Sequence, residues 1–187
     1  MSASGNLAVD NDAGVLNKNS ITDSGMDAGF KADKVQYQQY LTFELSGEQY
    51  GVNILSVQEI KGWNGVRPVP DMPAYVPGVI DLRGIIVPIM DLRLRFDMQA
   101  KMYTETTVVI IVATCHENKV IPLGLVVDTV TDVLEVNANN IKSPPAIGEN
   151  DGKRKYNYVR GLVSLPERMV VILDIEKLLN EKIIQGE

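Results

Sequence analysis

From Tyr40 onward the chain alternates apolar and polar residues. Leu41, Phe43 and Leu45 are separated by Thr42 and Glu44, the two-residue period of a half-buried strand. Ser46-Gly47-Glu48 reads as a tight turn, after which Tyr50, Val52 and Ile54 resume the pattern. Pro68, Pro70, Pro73 and Pro77 punctuate an extended loop, because proline lacks a backbone donor and blocks helix interiors. Residues 106–113 form a nearly continuous β-branched run, as expected of a strand covered on both faces. The clearest helical spacing falls over Asp174 to Ile184, with Ile175, Leu178, Leu179 and then Ile183 on one face. Residues 1–34 show neither period. Half of them are Gly, Ser, Asn or Asp, too few apolar groups to offset backbone entropy, and the segment reads as a disordered tail. The folded region is expected over residues 35–183.

An internal repeat organises that region. Residues 78–92 read GVIDLRGIIVPIMDL and residues 161–175 read GLVSLPERMVVILDI, and the two align without a gap. Gly78 falls on Gly161, Val87 on Val170, Ile89 on Ile172 and Asp91 on Asp174. The differences cluster at Arg83-Gly84 against Pro166-Glu167, where a hairpin turn belongs. Each copy reads as strand, turn, strand, then an Asp that caps a short helix. Tyr50-Gly51-Val52 likewise matches Leu123-Gly124-Leu125, and Val57-Gln58-Glu59-Ile60 matches Val130-Thr131-Asp132-Val133 at the same spacing. The economical architecture is two small β-barrels with a groove between them, over about residues 36–100 and 104–180. Chance likeness of two aliphatic-rich hairpins is the alternative, since few residue types fill buried strands.

The formal charge of −6 argues against nucleic-acid binding, which needs a basic face to displace counterions, and against attraction to anionic lipid. With a single cysteine, Cys115, no intrachain disulfide forms, in keeping with a reducing compartment. No signal-peptide pattern opens the sequence and no apolar run approaches membrane-spanning length, so a cytoplasmic location without membrane insertion is expected.

Chemistry is sparse. His116 is the only histidine and follows Cys115; neighbours on a strand point to opposite faces, and the pair reads as a buried small Cys beside an exposed turn His rather than a nucleophile. Asp91 and Asp174 read as equivalent caps, and Asp128 and Asp132 as solvated loop or strand-edge carboxylates. No phosphate-loop glycine pattern and no spacing for a metal site is found, so neither an enzyme nor a cofactor is expected. What remains is surface. Along the hairpin, Ile80, Leu82, Ile85 and Ile86 cannot all face one core unless the turn breaks register. Aliphatics left outside and rimmed by Arg83 and Glu59 would suit a protein contact; ordinary core plus a surface arginine is the other reading. Trp63, in Gly62-Trp63-Asn64-Gly65, reads as the plug of a barrel end rather than a partner anchor.

These residues resemble the CheW family. Phe43-x-Leu45, Tyr50-Gly51-Val52, Val57-Gln58-Glu59-Ile60, the hairpin Gly78 to Leu92, Gly124-Leu125-Val126-Val127-Asp128-x-Val130 and Val171 to Leu179 occur in the family's order, over roughly residues 36–182. The resemblance implies a mainly β fold of two five-stranded SH3-like barrels. It implies a non-catalytic adaptor whose partners are the cytoplasmic tips of methyl-accepting chemotaxis receptors and the regulatory domain of the histidine kinase CheA. Other CheW-like domains would join it in rings at membrane receptor arrays. Carried over by motif, the receptor groove would use Val57, Glu59, Gly78, Ile80 and Arg83 from the first half, and Gly124, Val130 and Val133 from the second. Ile86 and Val108 would lie on one ring surface, Lys142 and Ile147 on the other; family members often carry an aromatic at the latter position. Two rival functions stay open: a CheW-like scaffold for another kinase pathway, and a small-ligand-binding β protein.

Overall fold

The computed structural model of the protein describes residues 36–116, 119–144, 149–150, 153–154 and 158–179; the expectation of a disordered tail over residues 1–34 lies outside them. β1 (Tyr37–Leu45) and β2 (Glu48–Asn53) form the first hairpin. Its two turn residues, Ser46 and Gly47, sit at φ 53° and 90°, the left-handed pair that a tight primed turn requires. Asn53 then accepts a hydrogen bond from the Leu55 amide and caps a single 3-10 turn, Ile54–Ser56, which turns the chain out of the hairpin. β3 (Val57–Gly62), β4 (Gly78–Leu82), β5 (Ile85–Asp91) and helix α1 (Leu92–Arg95) complete the first half. The second half runs through β6 (Val108–His116), β7 (Lys119–Val127), β8 (Thr129–Asn137), the short pair β9 (Glu149–Asn150) and β10 (Lys153–Arg154), then β11 (Val159–Ser164), β12 (Met169–Leu173) and helix α2 (Ile175–Leu179). The helix expected to reach Ile184 is thus described only to Leu179.

Two five-stranded sheets result, in the orders β11-β12-β2-β1-β8 and β4-β5-β7-β6-β3. The orders correspond strand for strand under the repeat, but neither sheet is one contiguous half. This corrects the division into residues 36–100 and 104–180: each half keeps its first hairpin and gives its other principal strands to the opposite sheet. The seams explain why. β5 runs parallel to β7 with Ile89 beside Gly124, and β12 runs parallel to β2 with Ile172 beside Gly51. A Cβ on Gly124 would stand 2.3 Å from Ile89 Cδ1, and one on Gly51 3.1 Å from Ile172 Cδ1. The matched glycines and isoleucines of the repeat are therefore partners in space, each across copies.

Each sheet closes toward a barrel through one isolated bridge, Arg67 with Val79 and Lys142 with Leu162. The apolar residues divide accordingly. Leu41, Phe43, Leu45, Val52, Ile110, Val112, Leu123 and Leu125 belong to one large core cluster. Their strand neighbours fill two smaller ones, Tyr40 with Val136, Val163, Val170 and Ile172, and Val109 and Ile111 with Val87, Ile89 and Val126. β6 thus has core on both faces, which is why it reads as an unbroken apolar run. Each such aliphatic contributes about 1.5–3 kcal/mol of burial before entropy costs. Asp91 and Asp174 are the expected caps, accepting from the amides of Arg93 and Lys177. Their own amides donate to the carbonyls of Tyr75 and Tyr158, and Arg95 stacks over both of those rings at 5.2 Å.

Candidate functional site

The β4–β5 hairpin turns at Arg83 and Gly84, with φ 55° and 85°. Asp81 Oδ1 accepts the Gly84 amide at 2.7 Å, fixing the turn. Beyond it, Ile85 and Ile86 are 58% and 60% exposed, while Ile80 and Leu82 pack against the cluster around Val87 and Ile89. The two strands pair in unbroken register, Leu82 with Ile85 and Asp81 with Ile86. Ile85 therefore shares the face of Ile80 and Leu82 but lies at the tip, Ile86 is on the other face, and both are left outside the core. Arg83 reaches sideways from the tip to Glu59 on β3, Nη2 to Oε2 3.3 Å, and Lys61 approaches the same carboxylate at 3.8 Å. Ile60 stands exposed on the other face of β3.

The remaining residues implied by the resemblance divide by role. Val57 is half-buried against the large core and Ile80 against the smaller one. Gly78 and Gly124 are buried and present no surface: a Cβ on Gly78 would meet the Arg67 carbonyl oxygen at 2.2 Å, so its absence lets the closing bridge form. Val130 is half-buried against the large core, and Val133 is exposed, both on β8. β8 is the edge of the opposite sheet, the repeat mate of β3. Of the ring residues, Ile86 lies five residues before Asp91, which is level with Val126 and Val109. Val108, which pairs with Val127, is one residue further on, so the two stand about 20 Å apart along the strands. Lys142 is exposed at the bridge to Leu162, and Ile147 lies outside the described residues.

Two other expectations need correction. Cys115 is exposed rather than buried, because the β6–β7 hairpin carries it past the end of the core; the side chain of His116 is not described. Asp128 is not a plain solvated carboxylate. It accepts Arg93 Nη1 at 3.1 Å and the Ser46 amide at 2.7 Å, and Lys101 stands 3.9 Å away. Arg93 is itself buried and forks onto Asp91, Nη2 to Oδ2 3.0 Å and Nε to Oδ1 3.2 Å. The Tyr103 hydroxyl donates to Asp91 at 3.0 Å, and its ring lies under the guanidinium and against Trp63. Trp63 thus packs inward, against Tyr103 and the smaller core. Burial alone would lower the Arg93 pKa, but the hydrogen bond and charge of Asp91, with Asp128 and Tyr103, outweigh it and hold the group above its ordinary value. Burial first, then the Asp91 charge and hydrogen bond, push Tyr103 up to about 12, so it remains a neutral donor at physiological pH. This network ties the ends of β5 and β7 to the β1–β2 turn and therefore one sheet to the other. Among the described residues no group of His, Cys, Asp and Glu is placed to hold a metal.

Comparison with known proteins agrees with the motif order. The CheW-like domain model matches residues 39–182. The chemotaxis protein CheW of Klebsiella aerogenes is 42% identical over 145 residues, covering 78% of this chain and 83% of that one. The CheW protein of Rhizobium meliloti is 38% identical over 141 residues, with 74% and 85% covered. Among solved structures, the scaffolding protein TtCheW of Thermoanaerobacter tengcongensis superposes with a TM-score of 0.67 at 27% identity, over 81% of this chain and 97% of that one. With the repeat, the paired sheets and the motifs all in place, the chain belongs to the CheW-like domain family.

Proposed function

We propose that the chain is a non-catalytic adaptor that couples the tips of methyl-accepting chemotaxis receptors to the histidine kinase CheA. It acts in the cytoplasm at membrane arrays; no described helix is long and apolar enough to cross a membrane. The observation that carries this reading is the projecting hairpin, on which Arg83, Ile85 and Ile86 stand exposed and Arg83 reaches Glu59. An apolar patch rimmed by opposite charges suits a helical partner, the aliphatics taking its apolar positions and the charges setting register. Val57, Ile80, Val130 and Val133 border the receptor groove in this reading, with Gly78 and Gly124 shaping it. Ile86 and Val108, at separate points, lie on one ring surface in this reading, and Lys142 on the other. Such a protein transmits a signal only through free-energy differences among its complexes, by favouring one receptor or kinase state over another.

Arg83 is the place to test the groove. Its pair with Glu59 is solvent-exposed, and exposed pairs contribute about 0–1 kcal/mol, so Arg83→Glu folds normally. Facing Glu59, the reversed charge should weaken binding to a soluble receptor-tip fragment roughly tenfold or more. Titration calorimetry measures the affinity; a folded R83E protein that binds as tightly as wild type removes Arg83 from the site.

A further inference from the structure

Two tight turns of the fold share a backbone conformation and differ in what holds them. Ser46-Gly47 sits at φ 53° and 90°, and Arg83-Gly84 at 55° and 85°. The central amides of such a turn lie beyond the strand ladder and need another acceptor. At Ser46 the acceptor is Asp128, 2.7 Å away, which ties that turn to Arg93 and the opposite sheet. At Gly84 it is Asp81, also at 2.7 Å, on the strand just before the turn. The Arg83 turn is thus held from within its own hairpin.

Arginine is an uncommon occupant of that position. The first central residue of a primed turn is usually Asn, Asp or Gly, because a left-handed backbone crowds the Cβ of other residue types. The fold returns little for it. The Arg83 side chain is 83% exposed and its pair with Glu59 lies in solvent, where such pairs contribute little. The repeat mate has neither feature. There Pro166-Glu167 stands for Arg83-Gly84 and Ser164 for Asp81. The Leu165 amide donates to the Arg168 carbonyl at 2.8 Å, and among the described residues none from 164 to 169 is left-handed. A strained arginine at an exposed tip, with a carboxylate fixing the turn that bears it, is a feature kept for its side chain rather than for folding.

We propose that Asp81 is a positioning residue for the receptor contact. By accepting the Gly84 amide it holds the turn in its left-handed form and presents the Arg83 guanidinium preformed, so that the partner does not have to order the tip on binding. Asp81 acts through the turn and does not touch the receptor. This role rests on the assignment of the hairpin tip to the receptor groove.

The test compares Asp81→Ala, Asp81→Asn, Arg83→Ala and the Asp81→Ala/Arg83→Ala double variant. Exchange of the Gly84 amide, followed by NMR in the unbound protein, should be faster in Asp81→Ala and near wild type in Asp81→Asn, whose side-chain oxygen still accepts. Affinity for a soluble receptor-tip fragment, measured by calorimetry, should fall roughly tenfold in Asp81→Ala, the scale of ordering a freed loop at an interface. Asp81→Asn should bind as wild type does, and the urea unfolding midpoint of both should stay near wild type. In the Arg83→Ala background, Asp81→Ala should cost no further affinity.

Unchanged Gly84 exchange in Asp81→Ala overturns the positioning role, as does wild-type affinity in Asp81→Ala when Arg83→Ala binds weakly; the receptor reading then stands without it. Asp81→Asn binding as weakly as Asp81→Ala, or a further loss in the Arg83→Ala background, overturns it too, by showing that Asp81 meets the partner directly. A wild-type protein that does not bind, or Arg83→Ala binding as tightly as wild type, removes the receptor reading and this role with it.

Discussion

Replacing Arg93 with methionine is expected to destabilise the protein by about 3–5 kcal/mol, the range for removing one partner of a buried ion pair. Arg93 is 1% exposed and Asp91 3%. Without the guanidinium, Asp91 keeps the Tyr103 hydroxyl and its helix-capping amide as donors, but its buried negative charge loses the ion-pair partner that stood at 3.0 Å. Asp128 suffers less, because it is partly exposed and keeps the Ser46 amide and nearby Lys101. The cost therefore lies mainly in the stranded Asp91. Combining Arg93→Met with Asp91→Asn should recover much of the loss, since asparagine still caps α1 and carries no charge. Urea unfolding of the single and double variants reads both quantities. If the single variant loses less than about 1 kcal/mol, a range typical of exposed pairs, the network is not holding the sheets together.

Gly78→Ala should cost about 2–4 kcal/mol, combining backbone strain with a contact that has no room to relax. Gly78 sits at φ 155°, and a Cβ there would lie 2.2 Å from the Arg67 carbonyl oxygen. That carbonyl accepts the Val79 amide at 2.9 Å while the Arg67 amide donates to the Val79 carbonyl at 2.9 Å. Backing the chain away from the methyl group breaks the bridge that closes the sheet. Gly62→Ala is the control: nothing stands within 4 Å of its Cβ, and a change within about 0.5 kcal/mol is expected. Equal unfolding midpoints for the two variants would show that Gly78 has no closing role and leave surface contact as its only use. The expected result makes Gly78 a residue that positions the hairpin bearing Arg83.

The strands, the two hairpin turns and the capping aspartates were legible in the sequence because each follows from local rules: period-two alternation, paired left-handed residues, and Asp before a helical turn. The exchange of strands between halves was not. The repeat shows that Ile89 matches Ile172 and Gly51 matches Gly124, but alignment does not say whether a copy packs on itself or on its mate. The space left by each glycine, occupied by the other copy's isoleucine, settles that only in three dimensions. The Arg93 network was missed for a similar reason. Asp91-Leu92-Arg93 reads as an ordinary helix start, and the fact that Asp128 stands opposite depends on the parallel seam between β5 and β7. A cation inside an otherwise aliphatic stretch was the one available signal. In the candidate site, the exposure of Ile85 and Ile86 could be framed from the turn but not decided. The hairpin keeps its register through the turn, and only the reach of the core beneath it determines that Ile85, on the same face as Leu82, stands outside.

The most direct test of the coupling role is CheA autophosphorylation in receptor-bearing membranes, measured with and without this protein. Strong stimulation by the wild-type chain, reversed by attractant and lost in the folded Arg83→Glu variant, is the predicted result. Cognate receptors and kinase that remain unstimulated by the folded wild-type protein would contradict the account.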